Sequence, residues 1–221
     1  MARIISALVL IPLAILIVVC APPIFFLVGI GLIGTACLYE YFGLMRAMGI
    51  RVQPLFGILA FWVLLIALRQ GKFPPVALLA LVLITAFLST LWRKSTVRER
   101  ALALMAEVLG IFYFVLFLYP AIPVRHDFGE KIGMQWILLL LVVIWSGDTF
   151  ALLAGKSFGK HLLAPVLSPK KTYEGAVAGL LGGVGIAAAA QCLFLPDLPI
   201  FHVIIVSLLL GVFGQFGDLA E

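Results

Sequence analysis

Four carboxylates stand in stretches otherwise built of apolar residues, and any chemistry this sequence performs starts with them. Asp148 follows Trp145-Ser146-Gly147, Asp218 closes Gly214-Gln215-Phe216-Gly217-Asp218, Glu107 lies inside a long apolar run, and Glu40 sits between Tyr39 and Tyr41. Acids in such runs are costly in lipid, so they face a hydrated interior or a partner and mark functional candidates. Carboxylates around one hydrated cavity are the usual means of holding Mg²⁺ beside a phosphate group. The bland reading is a set of solvated helix ends, each acid paired with a nearby Lys or Arg.

The richest polar stretch is Gly155-Lys156-Ser157-Phe158-Gly159-Lys160-His161 followed by Ser168-Pro169-Lys170-Lys171-Thr172-Tyr173-Glu174-Gly175. Its first half is not a P-loop: that motif needs Gly at 154 and Ser or Thr at 161, where the chain has Ala154 and His161. In the second half, Ser168 fits an N-cap and Pro169 the first helical position, which predicts a helix starting there. Helix N-terminal amides with Lys170 and Lys171 beside them would form a phosphate site in outline. An ordinary basic loop with a good cap explains the same residues. His126, His161 and His202 have no ligand spacing, and no GxSxG or HExxH pattern argues for hydrolysis. Cys20, Cys37 and Cys192 lie in apolar surroundings without CxxC spacing and read as packing residues.

The elements that must position these groups are membrane helices. The 221 residues are 64% hydrophobic and 11% charged, with a mean hydropathy of +1.24. Soluble domains carry roughly 25% charged residues. A bilayer core about 30 Å thick takes about 20 apolar residues as a helix. Apolar runs at roughly 4–20, 22–39, 53–69, 73–92, 101–123, 132–154, 175–195 and 199–217 meet that length. The expected fold is an all-α, polytopic membrane helix bundle of about eight spans, one domain over 1–221, with a polar loop at about 155–174. Pro12 and Pro22-Pro23 make the first pair the least regular. The opening Met1-Ala2-Arg3 and its apolar run read as an uncleaved first helix. Most of the 15 Lys and Arg, including Arg46, Arg51, Arg93, Lys94, Arg98, Arg100 and the loop lysines, fall on one side if both termini are cytoplasmic. That topology brings Asp148, Asp218 and Glu40 to the cytoplasmic side. Gly179 and Gly183 have the spacing of close helix packing. No basic, aromatic-interleaved stripe suggests nucleic acid.

With these residues in place a family pattern emerges. Asp148-x-x-Ala151-x-x-x-Gly155-Lys156-x-Phe158-Gly159-Lys160, then Ser168-Pro169-Lys170-Lys171-Thr172-x-Glu174-Gly175, then Gly214-Gln215-x-Gly217-Asp218-Leu219, resembles the bacterial phosphatidate cytidylyltransferases (CDP-diacylglycerol synthases). Arg3-Ile4 and Tyr39-Glu40-Tyr41 are similar too. The resemblance implies transfer of a cytidylyl group from CTP to phosphatidate with Mg²⁺, in a bacterial inner membrane. It assigns Asp148 and Asp218 to metal and catalysis, and Lys170 and Lys171 to the CTP phosphates. It places Gly155, Gly159, Lys160, Ser168, Pro169, Thr172 and Glu174 in the substrate-binding set, and Arg3 or Arg93 at the lipid phosphate. A homodimer is compatible with a flat multi-helix domain. The family pattern continues beyond Gly-Asp-Leu with a Ser-x-x-Lys-Arg stretch, a Lys-Asp pair and a Gly-His-Gly-Gly signature, whereas the sequence stops at Glu221. The expectation is a C-terminally truncated chain with only part of the site. Competing readings are a CTP-dependent lipid-alcohol kinase, a secondary transporter using Asp148 and Glu107, and a non-catalytic membrane scaffold.

Overall fold

The computed structural model describes residues 2–92, 95–165 and 168–220, with side chains described from residue 11 onward except at 169, 219 and 220. The elements run α1 (Ala2–Cys20), α2 (Pro23–Ala47), α3 (Pro54–Gln70), α4 (Pro75–Leu91), α5 (Val97–Leu118), α6 (Ala121–Asp127) and α7 (Glu130–Phe158). A short hairpin, β1 (Leu162–Ala164) and β2 (Ser168–Thr172), leads to α8 (Tyr173–Phe194) and α9 (Ile200–Ala220). Among the described residues, α2, α5 with α6, α7, α8 and α9 are long and apolar enough to cross a membrane. The chain is an all-α, multi-pass membrane protein apart from that hairpin. At 17 residues each, α3 and α4 stand at the short end for a span.

Punctuation in the sequence explains where these helices start. Pro23, Pro54 and Pro75 each occupy a first helical position, where a missing N–H loses nothing and φ is preset. Thr96 and Glu99 close a capping box ahead of α5, each side chain accepting from the other's backbone N–H, at 3.3 and 3.2 Å. Pro12 lies inside a continuous α1, so the chain turns between Cys20 and Pro23 rather than at Pro12.

Two compact units divide the chain, Met1–Pro123 and Val124–Glu221. In the first, α5 packs against α2, α3 and α4 over a core that includes Leu38, Phe42, Phe61, Leu65 and Ile111. The Tyr41 hydroxyl donates to Ala106 O at 3.0 Å, joining α2 to α5. Glu107 is fully buried and accepts the Gln53 N–H at 2.6 Å, where α3 begins. That carboxylate satisfies a helix-start amide, one of the donors no helix can satisfy internally. Glu40 is exposed on α2.

In the second unit α7, α8 and α9 pack around Leu139, Val143, Ala187, Ala190, Leu195, Leu198 and Val203. The α8–α9 turn is tied down by Asp197, whose Oδ2 meets Lys131 Nζ at 2.8 Å and the buried Gln135 Nε2 at 2.7 Å. The Lys131 hydrogen bond, with help from Gln135, holds the Asp197 carboxyl below its ordinary value. A depressed carboxylate stabilises the fold above its unfolded pKa and loses that contribution as pH falls through the folded value. Thermal unfolding in detergent is therefore expected to show a smaller loss of stability between about pH 5 and about pH 2 in Asp197→Asn than in the parent. Equal losses in the two proteins would contradict this role.

Candidate active site

The site grows out of the contact between α7 and α8. On α8, Gly175, Gly179, Gly183 and Ala187 recur every fourth residue and are all buried. They face Val143, Gly147, Ala151 and Gly155 of α7: a Cβ on Gly175 would lie 2.8 Å from Ala151 O, and one on Gly179 2.8 Å from Gly147 O. The two backbones thus meet almost directly, as small-residue seams allow. Asp148, next to Gly147, is held at the edge of that seam.

Between α7 and α8 the chain makes the β-hairpin instead of the helix start expected at Ser168 and Pro169. β1 and β2 are antiparallel, with Leu162 opposite Thr172 and Ala164 opposite Ser168. Tyr173 N–H donates to His161 O at 2.9 Å and extends the pairing. The N-cap of α8 is Thr172, whose Oγ1 accepts the Gly175 N–H at 3.1 Å. Physically, pairing with β1 satisfies the inward-facing backbone groups of 168–172, and a two-stranded ribbon has edges that tolerate Pro169. Lys170 and Lys171 are consequently strand residues, not helix-start residues. Strand alternation leaves Lys170 exposed and turns Lys171 partly inward.

One cleft of about 660 Å³ takes in Asp148, Gly155, Ser168, Lys170, Lys171, Thr172 and Asp218. Seven of the expected residues, drawn from α7, β2, α8's cap and α9, therefore converge within one unit. Lys171 Nζ pairs with Asp218 Oδ2 at 2.8 Å. Asp148 is near enough to interact electrostatically with both Asp218 and Lys171. Among the described residues no group of three or more His, Cys, Asp or Glu forms a metal cage. Two carboxylates suit Mg²⁺, which keeps waters and takes further oxygens from a phosphate.

Gly159, Lys160 and Glu174 lie elsewhere, around a shallower depression of about 430 Å³ with Ser157 and Phe158. Glu174 is a staple. Its Oε2 accepts the Lys160 and His161 amides at 3.2 and 3.3 Å, and Oε1 lies 2.7 Å from His161 Nδ1. Replacing Glu174 by Ala would hand those exposed donors to water and untie the turn from the start of α8. The expected result is faster proteolysis at 159–162, with Glu174→Gln intermediate because its amide oxygen still accepts. Proteolysis equal to the parent would remove the staple. Pro169 lies in β2 and Arg3 in α1, but their side chains are outside the described residues, as is Arg93 altogether.

Two contributors escaped the sequence reading of the site. Lys156 lines the cleft one residue from Gly155. Gln215 lines it too, one helical turn before Asp218, and its Nε2 donates to Ala176 O at 2.8 Å, binding α9 to α8. A Gln inside an apolar helix, three residues from an acid on the same face, was the available signal.

Several known bacterial proteins are similar to this chain. The phosphatidate cytidylyltransferase of Bacillus subtilis is 28% identical over 195 residues, covering 85% of this chain and 70% of that protein. Those of Staphylococcus haemolyticus and Staphylococcus aureus are 41% identical over 91 and 39% over 89 residues, each match covering 40% of this chain and 34% of the relative. A family model described as the cytidylyltransferase family matches residues 1–221, and the chain belongs to that family.

Proposed function

We propose that this chain is a phosphatidate cytidylyltransferase of phospholipid biosynthesis, working in a bacterial cytoplasmic membrane with Mg²⁺. The observation that carries the reading is the convergence of Asp148, Lys171 and Asp218 on one cleft in a member of this family. A phosphate oxygen of phosphatidate attacks the α-phosphorus of CTP. The bond from that phosphorus to the bridging oxygen breaks, and pyrophosphate leaves. The lipid brings its own nucleophile, so the protein supplies no Ser or Cys and its work is positioning and charge compensation. Lys170 and Lys171 draw the triphosphate to β2 and offset charge on the departing pyrophosphate. Asp148 and Asp218 would hold Mg²⁺, which when bound neutralises phosphate charge. Ser168 and Thr172 fix the strand that carries the lysines. The family match does not favour a lipid-alcohol kinase, which would need a general base beside a hydroxyl.

The test uses the purified 221-residue chain in mixed micelles with phosphatidate and Mg²⁺. CTP is labelled on the cytosine ring in one arm and on the γ-phosphate in the other. Cytosine label entering the lipid is the expected result. γ-Phosphate label there would convert the reading to a kinase, and label in neither arm would overturn both for this polypeptide.

A further inference from the structure

We propose that Lys171 acts as an internal counter-ion at the metal position, so that a divalent cation and a triphosphate each release the other's partner in the cleft; this rests on the nucleotidyl-transfer reading above. Asp218 Oδ2 lies 2.8 Å from Lys171 Nζ, with the Lys171 side chain 26% exposed and that of Asp218 53% exposed. The Lys171 nitrogen is itself closed to solvent and, among the described residues, makes no hydrogen bond beyond that ion pair. An ammonium carries three donors, so this one has capacity left for an anion.

The same carboxylate is one of the two that line the cleft and are open to a cation. A divalent ion arriving at Asp148 and Asp218 meets the ammonium's like charge and displaces it. Lys171 is fixed to β2 by its backbone and stays within the cleft, so its freed charge is satisfied by phosphate oxygens. Run in the other direction, an anion that draws Lys171 away leaves Asp148 and Asp218 as two neighbouring negative charges, a state that a divalent cation relieves. Ion pairs with a half-exposed partner are weak, so the exchange is easy in either direction. Linkage makes the effect reciprocal: whatever the anion adds to cation affinity, the cation adds to anion affinity.

The experiment measures Mn²⁺ binding without nucleotide, by the resonance signal of free Mn²⁺, and CTP binding in EDTA, on the purified chain in detergent. Lys171→Met is expected to bind Mn²⁺ about fivefold more tightly than the parent. Lys170→Met, which removes the same charge from the next strand position, is expected to change it by less than about twofold. Asp218→Asn, which frees Lys171, is expected to bind metal-free CTP more tightly than the parent, and more tightly than Asp148→Asn. Gains in affinity cannot come from a chain that fails to fold. Equal effects of the two lysine substitutions, or no gain in either measurement, would overturn the exchange while leaving the enzyme reading intact. A parent chain that binds neither Mn²⁺ nor CTP would overturn both.

Discussion

Asp148→Asn and Asp218→Asn are each expected to lower formation of cytosine-labelled lipid by about 10³-fold, the scale seen when one group aimed at developing charge is removed. Asparagine keeps the volume and one carbonyl oxygen but loses the charge that would hold a cation against a phosphate. Because the two carboxylates face the same cleft, they are expected to act as a unit. The double substitution should then cost little more than either single one, as in other sites whose members work together. Asp197→Asn is the control. That carboxylate is bound to Lys131, near the start of α7, and its loss should leave turnover within about twofold, as surface changes usually do. A drop of less than about tenfold in both site variants would take the two aspartates out of the catalytic machinery.

Gly179→Ala is expected to be nearly as damaging although it adds a single methyl group. That methyl would stand 2.8 Å from Gly147 O and 2.9 Å from the Ala151 Cβ. Neither neighbour is the end of a flexible side chain, so α7 and α8 must move apart. Overpacking of this kind costs about 1–3 kcal/mol. Turnover should fall by about 10²-fold, because Asp148 is carried on the displaced face and errors of about 1 Å are felt at that level. Gly185→Ala, where an added Cβ meets nothing within 4 Å, should instead stabilise the helix by about 0.5–1 kcal/mol. Thermal unfolding in detergent and the labelled-lipid assay read both effects. Identical behaviour of the two alanine variants would refute the seam as the element that sets the site.

Much of the candidate cleft was legible because its residues announce themselves by being out of place. Asp148 and Asp218 sit in apolar helices, and the topology expected from the sequence puts them on one side of the membrane. The resemblance to the cytidylyltransferases was likewise readable from the motifs around them, and the family match bears it out. The hairpin was not legible. Ser168-Pro169-Lys170-Lys171 reads locally as a helix start, since Ser and Pro are favoured there and Pro and Lys are poor strand formers. What decides the conformation is β1, a three-residue strand whose sequence, Leu162-Leu163-Ala164, carries no alternation. Glu174 was assigned to substrate by resemblance. Its contacts with the 160–161 amides depend on a turn that only the hairpin creates. Hydropathy located the apolar helices but not all their ends: α2 continues to Ala47 and α7 to Phe158, well past the expected limits at 39 and 154.

The glycine and alanine seam between α7 and α8 also bears on how much order the cleft must be supplied with. Side chains such as Leu or Met surrender up to about 2 kcal/mol of rotamer freedom when they are fixed in an interface, whereas Gly and Ala surrender none. At Gly175, Gly179, Gly183 and Ala187 the pairing surface has no rotamers to freeze. The helix that carries Asp148 is therefore held in register by atoms that were already immobile relative to their own backbone, and side-chain entropy sets no toll on assembling the ground beneath the site.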